Sequence, residues 1–227
     1  MSSCKLSCIG GACGKDQSKV MCGAEQLQGS KRCVIYSIGG NNMWEFELDL
    51  LNRTTCEIHT FDCTGSKARF HKPENNRLTF HHICLGSVPQ PAPQIDCTDK
   101  KRGTICGPIK TLKDIQSMLG HTQIDLLKFD IEGYEWPIFE SWPVISDGSS
   151  ASFVYPMQIL VEIHYETQFS DLWLPNHRPR RQEFRFATDI VRLQSHFLKM
   201  GYAVVARDDN RFCKHCTELT LLRFNCT

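Results

Sequence analysis

Carboxylates and a glycine follow directly after an apolar run in the segment IDLLKFDIEGYEW, residues 124–136. Asp130 and Glu132 stand at the end of this run, and Gly133 comes next. Because the run is almost continuously apolar, it predicts a central strand of a parallel sheet, buried on both faces. Open α/β sheets bind ligands at the carboxyl ends of such strands, so Asp130 and Glu132 are candidate site residues. The alternative is that one of them caps the following helix.

A second group of candidates begins in SIGGNN, residues 37–42, where a short apolar strand runs into paired glycines. Gly39 and Gly40 would let a ligand approach the backbone N–H groups closely, and Asn41 follows in the same loop. Asp62 ends the next predicted strand, 22 residues after Gly40. A carboxylate at that position can accept both hydroxyls of an adenosine ribose. An ordinary tight turn and a turn-capping aspartate are the alternatives, and the absence of G-x-G-x-x-G disfavours a nicotinamide dinucleotide.

A histidine supplies the candidate base. His164 lies near the carboxyl end of a predicted strand at residues 157–165, on the same face as Glu162. An imidazole whose pKa lies near neutral pH can take the proton of an acceptor hydroxyl, and Glu162 could orient it. Glu132, at the end of the neighbouring strand, is the second catalytic candidate. The alternative for His164 is a buried histidine that is simply hydrogen-bonded.

Two other segments have chemically suggestive compositions. Residues 172–185, LWLPNHRPRRQEFR, combine Trp173 with four arginines and predict either an acceptor-binding lid or a solvated basic loop. The pair Cys213 and Cys216 has a spacing found in metal sites, but a single pair favours a disulfide or a turn. The cysteines of the first 22 residues match no zinc spacing. No metal site is therefore predicted.

Strands and helices alternate along most of the chain, in the order β-α-β-(α)-β-α-β-α-β-α-β-β, and the third strand is predicted over residues 77–86. This alternation predicts an α/β fold with a doubly wound, mainly parallel seven-stranded sheet, closed by a C-terminal antiparallel hairpin strand. Residues 111–119 include a helix whose start has Thr111 and Asp114 in capping-box spacing. Residues 1–30 show no period and are predicted as an irregular, cysteine-rich arm, and residues 31–227 as one domain.

Size and composition limit the classes of function. A chain of 227 residues that is 41% hydrophobic can bury a core as one domain. A net charge of +1 gives no electrostatic reason to expect nucleic acid or an anionic membrane as a partner. No apolar run reaches the roughly 18 residues of a membrane-spanning helix.

Cysteine content bears on the cellular compartment. Thirteen cysteines, with N-glycosylation sequons at Asn52 and Asn225, favour the lumen of the secretory pathway, either the Golgi or secretion. The first residues lack the apolar segment of a signal peptide, which leaves the cytoplasm as the alternative. An upstream anchor missing from this sequence would reconcile these observations.

Several of these segments together resemble FkbM-type methyltransferases and, more closely, the animal methyltransferase-like proteins. LLKFDIEGYEW is similar to the strand-four signature of that group, with Asp130, Glu132, Gly133 and Glu135 at its fixed positions. VIYSIGGNNMWEFE, IHTFD, ILVEIHY and the C-terminal N-x-x-C-x-x-C-x-E pattern resemble other blocks of the group.

The resemblance has consequences for fold, cofactor and reaction. It implies a Rossmann-like methyltransferase fold, S-adenosylmethionine as methyl donor, and O-methylation of a hydroxyl acceptor, either a small molecule or a glycan. The residues expected at the cofactor are Gly39, Gly40, Asn41, Asp62 and Asp130. One alternative is a catalytically silent module that binds a partner through its cysteine- and arginine-rich surface. Another is a nucleotide-sugar or dinucleotide enzyme on a similar sheet.

Overall fold

A computed structural model describes residues 4–15, 17–30, 32–98, 104–145, 153–165, 185–210 and 213–224. The strands are β1 (Leu6–Ile9), β2 (Lys19–Cys22), β3 (Val34–Ile38), β4 (Glu57–Phe61), β5 (Leu78–His81), β6 (Cys84–Leu85), β7 (Ile109–Lys110), β8 (Leu126–Phe129), β9 (Gln158–His164), β10 (Tyr202–Arg207) and β11 (Cys216–Arg223). The helices are α1 (Glu45–Arg53), α2 (Leu112–Leu119), α3 (Glu135–Ser141) and α4 (Ala187–Lys199).

Seven strands form the main sheet in the order β10-β11-β9-β8-β3-β4-β5. Strands β5, β4, β3, β8 and β9 run parallel, and β11 pairs antiparallel with both β9 and β10. The predicted mainly parallel, seven-stranded sheet with a closing antiparallel hairpin is therefore confirmed. Strand order reverses between β3 and β8, and ligands of doubly wound sheets bind at this kind of switch point.

Apolar side chains of β8 explain why it lies in the middle of the sheet. All four of its residues are buried. Leu126 packs into an apolar cluster on one face of the sheet, whereas Leu127 and Phe129 pack into the larger cluster on the other face. Burial of each such side chain contributes about 1.5–3 kcal/mol. The one polar side chain within β8, Lys128, donates to the Ile38 carbonyl, and the carboxylates follow directly after the end of the strand.

Helix α2 begins where the sequence predicts. The Thr111 hydroxyl accepts a hydrogen bond from the Asp114 N–H, and the Asp114 carboxylate accepts one from the Thr111 N–H. This capping box is the predicted one. In the part of the chain that the structure describes, no helix is long and apolar enough to cross a membrane.

The N-terminal region differs from the irregular arm expected there. Strands β1 and β2 form an antiparallel hairpin in which Leu6 pairs with Cys22. This hairpin packs against the main sheet, since the Gln158 side chain bonds both the N–H and the carbonyl of Cys22, and the Thr220 hydroxyl donates to the Val20 carbonyl at 2.6 Å. Four-residue strands separated by glycines and cysteines leave no readable period, which explains the difference.

Disulfides connect neighbouring segments at several places. The pairs among the described residues are Cys4–Cys22, Cys8–Cys13, Cys33–Cys56, Cys63–Cys84, Cys97–Cys106 and Cys213–Cys216. The last of these is the disulfide that the sequence favours over a metal site for that pair. The Cys63–Cys84 bond lies where the single strand predicted over residues 77–86 divides into β5 and β6.

Candidate active site

A cavity of about 270 Å³ opens at the carboxyl ends of β3, β4, β8 and β9. Its walls include every candidate cofactor-binding and catalytic residue that the sequence analysis names, from four separate segments: Gly39, Gly40, Asn41, Asp62, Asp130, Glu132 and His164. The strand ends meet because parallel neighbours terminate at the same edge of the sheet. The structure thus places the candidates together, and the role of each residue stays a prediction.

The two glycines of the loop after β3 lie in different surroundings. Gly39 has φ +82°, and a Cβ on it would lie 1.9 Å from the carbonyl oxygen of Asp130. Its missing side chain therefore serves the contact between the ends of β3 and β8. A Cβ on Gly40 would meet its nearest atom, the Met43 carbonyl oxygen, at 3.5 Å, which is an ordinary contact. Gly40 is thus the glycine that the fold itself does not require.

Asp62 is buried and holds the loops around it. One carboxylate oxygen accepts from the Asn41 N–H at 2.9 Å, and the other accepts from the N–H and hydroxyl of Thr64 at 2.8 and 2.6 Å. Asn41 itself has φ +48°, a conformation that asparagine tolerates better than most residues. The turn-capping alternative for Asp62 is therefore observed, and the ribose contact stays a prediction.

The turn after β8 is organised by a residue that sequence reasoning did not assign to the site. Glu135 is fully buried, and its carboxylate accepts hydrogen bonds from the N–H groups of Ile131 and Gly133 at 2.9 and 3.0 Å. Glu132 has φ +60° within this turn. Neither Asp130 nor Glu132 needs to hold the turn, so both can face the cavity. The sequence signal that could have identified Glu135 as a site residue is its fixed position in the strand-four motif.

His164 lies between two carboxylates. Its Nδ1 is 3.1 Å from Glu135 Oε1, and its Nε2 is 3.5 Å from Glu132 Oε2. Burial opposes the charge of the imidazole, but the hydrogen bond and charge of Glu135 outweigh burial and raise the pKa of His164 to about 10. At neutral pH the ring is therefore an imidazolium. The sequence suggests His164 as a base because the pKa of an imidazole usually lies near neutral pH. In these surroundings the pKa of His164 is well above that range.

A buried lysine from the N-terminal hairpin forms the floor of the cavity. The Lys19 ammonium lies 3.5 Å from Asp130 and 3.4 Å from Glu162, and it also contacts the Glu218 carboxylate. Only 2% of the lysine side chain is exposed. Sequence reasoning missed Lys19 because its partners lie more than a hundred residues away along the chain. Nothing in the local sequence distinguishes it from a surface lysine.

The carboxyl groups on this floor differ in charge. Burial favours the neutral form of Asp130, but Lys19 and Lys128 outweigh it and hold the pKa of Asp130 well below its usual range. Burial and the charge of Asp130 raise the pKa of Glu162 to about 9, and burial raises that of Glu218 to about 7. Glu162 is therefore protonated at neutral pH, whereas Asp130 presents a full negative charge to the cavity.

Metal-ligand atoms also occur beside the cavity. Glu162, His164, Cys213 and Cys216 each offer one such atom within 4.8 Å of the others. Because the two cysteines are joined in a disulfide, their sulfurs are not available as thiolate ligands. Most of the predicted lid at residues 172–185, with Trp173 and three of its arginines, lies outside the described residues. Arg185, at its end, lies over the Trp136 ring at 4.9 Å.

A model of a family described as "Methyltransferase domain" matches residues 2–223, which span the main sheet and the cavity. The chain belongs to this family. Membership confirms the prediction of a methyltransferase-superfamily chain and supports S-adenosylmethionine as the cofactor, whereas the FkbM subtype stays a prediction. The match also includes the N-terminal hairpin that carries Lys19.

Among curated proteins, this methyltransferase-domain chain is similar to "Probable methyltransferase-like protein 24" of Homo sapiens and of Rattus norvegicus. Each is 31% identical over 119 residues, covering 52% of this chain and 30% of the relative. The match therefore spans less than a third of the length of these relatives.

Solved structures with a similar fold include several methyltransferases. A putative S-adenosylmethionine dependent methyltransferase from Listeria monocytogenes has a TM-score of 0.45 at 8% identity, covering 89% of this chain and 96% of the other. The 1,6-didemethyltoxoflavin-N1-methyltransferase of Burkholderia thailandensis, with bound S-adenosylhomocysteine, has a TM-score of 0.43 at 11% identity, covering 86% and 72%. At these identities the likenesses carry no information on substrate.

Proposed function

We propose that this chain is an S-adenosylmethionine-dependent methyltransferase that acts on a hydroxyl group of a small molecule or a glycan. The observation that carries the proposal is one cavity among the described residues, lined by Gly40 and Asp62 at the ends of β3 and β4 and by Glu132 and His164 at the ends of β8 and β9. Such a cavity can hold a donor and an acceptor side by side at the switch point of the sheet.

The cofactor part of the cavity has features that suit this donor. S-adenosylmethionine supplies a methyl group already activated on a cationic sulfur, so alignment provides much of the rate. Asp130 is ionised and faces the cavity, and it would hold the ammonium group of the methionine part. Gly40 and Asn41 would lie along the ligand. The carboxylate of Asp62 would contact the ribose while it holds the loop.

In the acceptor part, Glu132 rather than His164 is placed to take a proton. The Glu132 side chain is 31% exposed, and its carboxylate faces the charged His164 ring. The hydroxyl of an acceptor would give its proton to Glu132 as its oxygen takes the methyl group. His164 would act as a positioning residue, since Glu135 holds its other nitrogen and its positive charge lies 3.5 Å from the Glu132 carboxylate.

The test combines cofactor binding with turnover. S-adenosylhomocysteine is titrated by calorimetry into the oxidised wild-type chain, Glu132→Gln and Glu140→Gln, a matched control on the exposed face of α3. Methyl transfer from radiolabelled S-adenosylmethionine is then measured on sugars, polyols and amines. We expect all three proteins to bind the ligand equally. We expect Glu132→Gln alone to lose about 10²–10⁴-fold in kcat on hydroxyl acceptors.

Each other result has a defined meaning. Transfer to amines alone would remove the hydroxyl class of acceptor. Unchanged kcat in Glu132→Gln would remove Glu132 as the proton acceptor. No binding of S-adenosylhomocysteine by folded, oxidised protein would favour the catalytically silent binding module.

We also propose that the chain works in the lumen of the secretory pathway as a glycoprotein, with the Golgi as the expected compartment. Six disulfides among the described residues support an oxidising environment. Asn52, the acceptor of the first sequon, is exposed on α1. The sequon at Asn225 lies outside the described residues.

A further inference from the structure

A second cluster of ligand-type side chains lies on the main sheet, apart from the cavity. Glu57 and His59 stand on β4, His81 ends β5, and His121 follows the end of α2. These four residues are called the histidine cluster below. Tyr36 on β3, the neighbour of His59 across the strand pair, contacts it. None of the five lines the candidate active site.

We propose that Glu57, His59 and His121 bind a Zn²⁺ ion. One ligand atom from each of the three lies within 4.8 Å of the others. Two imidazoles and one carboxylate form a ligand set that zinc accepts, with water in the fourth position. The three residues come from two segments more than 60 positions apart. Their convergence is therefore a product of the fold and is not readable as a spacing motif.

The hydrogen bonds behind the ligands are the strongest argument for this assignment. His59 Nδ1 lies 2.9 Å from His81 Nε2, so its Nε2 is directed to Glu57. His121 Nδ1 lies 2.7 Å from the Tyr36 hydroxyl, which leaves Nε2 as the nitrogen for an ion. Histidines that bind metals generally have their other ring nitrogen held by a hydrogen-bond partner, which fixes the ring. Both histidines of the proposed site meet this condition.

Binding requires a balanced exchange of protons. His59 Nε2 and Glu57 Oε1 are 2.7 Å apart and share a proton. The ion would displace that hydrogen from Nε2, and the His59 ring would carry it on Nδ1 and donate it to His81 Nε2. His81 would then carry its own hydrogen on Nδ1, so the cluster keeps its hydrogens when the ion binds. The Glu57 side chain is 53% exposed and can move to reach ligand distance.

Ring packing is the competing explanation for the cluster. His81 stacks on Phe61 with centroids 4.7 Å apart and on His59 at 5.2 Å. Packing accounts for the proximity of the rings, and it predicts no affinity for a metal. The two explanations therefore differ in the affinity for Zn²⁺ that they predict, and this affinity can be measured without any assay of methyl transfer.

The experiment is a calorimetric titration of ZnCl₂ into the full, oxidised chain after treatment with a chelator. The variants are Glu57→Gln, which changes an exposed side chain, and His121→Gln. The control is His71→Gln, an exposed histidine outside the cluster. We expect one Zn²⁺ per chain for wild type and His71→Gln, and affinity about 10-fold or more lower in both cluster variants. Circular dichroism confirms that each variant is folded.

Two outcomes would overturn the site. One is the absence of Zn²⁺ binding by the wild-type chain. The other is binding that Glu57→Gln and His121→Gln leave unchanged; its loss in His164→Gln would place the ion beside the candidate active site.

Discussion

Gly39 and Gly40 are neighbours that lack a side chain for different reasons. A Cβ on Gly39 would overlap the Asp130 carbonyl oxygen, and the positive φ adds strain, so we expect Gly39→Ala to cost about 2–5 kcal/mol of unfolding free energy. Gly40→Ala meets only ordinary contacts and should keep stability within about 1 kcal/mol. Its methyl group should still weaken S-adenosylhomocysteine binding.

Thermal unfolding and calorimetry of the two alanine variants measure both quantities. Equal stability of Gly39→Ala and wild type would contradict the contact between the ends of β3 and β8. Unchanged affinity in Gly40→Ala would remove this glycine from the cofactor part of the cavity.

The charge of His164 makes a prediction about stability and pH. Its pKa is raised from 6.5 to about 10 in the folded chain, so its contribution is complete below about pH 6.5 and disappears as the pH rises through 10. Wild type should therefore be more stable than His164→Gln at pH 6, and the difference should shrink by pH 10. Urea unfolding of both proteins at pH 6, 8 and 10 measures this difference in unfolding free energy. A difference that is the same at all three values would show that lost packing is the cause.

The candidate site could be predicted from sequence wherever a residue stands at the end of a parallel strand. Asp62, Asp130 and His164 meet this condition, and the topology brings them to one edge. Contacts between side chains could not be predicted, because they depend on rotamers and on distant partners. Glu135 decides the charge of His164, and the sequence shows only that it belongs to the same motif.

At the scale of the elements, the N-terminal hairpin matters because it carries Lys19 under the ends of β8, β9 and β11. Lys19→Met would leave Asp130 and Glu218 without their buried cation. Removing one partner of a buried ion pair costs about 3–5 kcal/mol. Because the cation lowers the pKa of both carboxyl groups, its loss should cost more at pH 8 than at pH 5, where Glu218 can be protonated.

Urea unfolding of Lys19→Met at the two pH values tests this role. Lys5→Met is the matched control, because Lys5 is an exposed lysine next to the same hairpin. A loss of equal size at pH 5 and pH 8 would mean that the charge of Glu218 does not depend on the lysine.

The helices and long strands could be predicted because their apolar period or their caps are local. The beginning of α2 follows from Thr111 and Asp114, and β8 follows from its apolar run. Hairpin β1–β2 could not be predicted from the sequence, because its stability comes from disulfides and from contacts with β9 and β11. The strand predicted over residues 77–86 was too long, because Cys84 leaves the main sheet to pair beside Ile109.

At the scale of the whole molecule, the disulfides contribute to stability through the unfolded chain. Replacing Cys33 and Cys56 together by alanine removes a link of 23 residues and leaves space in the core. We expect a loss of about 3 kcal/mol or more in unfolding free energy. The Cys97/Cys106 double variant, which opens a link of nine residues in a less buried segment, should lose less.

Urea unfolding without reductant compares the two double variants. Similar, small losses would weaken the argument that this fold needs an oxidising compartment. A large loss in the core pair would support the lumenal location, because cytosolic thiols keep such pairs reduced.

The contact between β2 and β11 has a consequence for synthesis of the chain. Lys19 and Glu218 meet although 199 positions separate them. The ribosome synthesises β2 long before β11. Lys19 therefore has no contact with Glu218 until the intervening strands and β11 have been made. The charged floor of the cavity can therefore be completed only when translation has passed residue 218. A nascent chain that stalls earlier would leave the Lys19 ammonium without the Glu218 carboxylate, and quality control could recognise such a chain as unfinished.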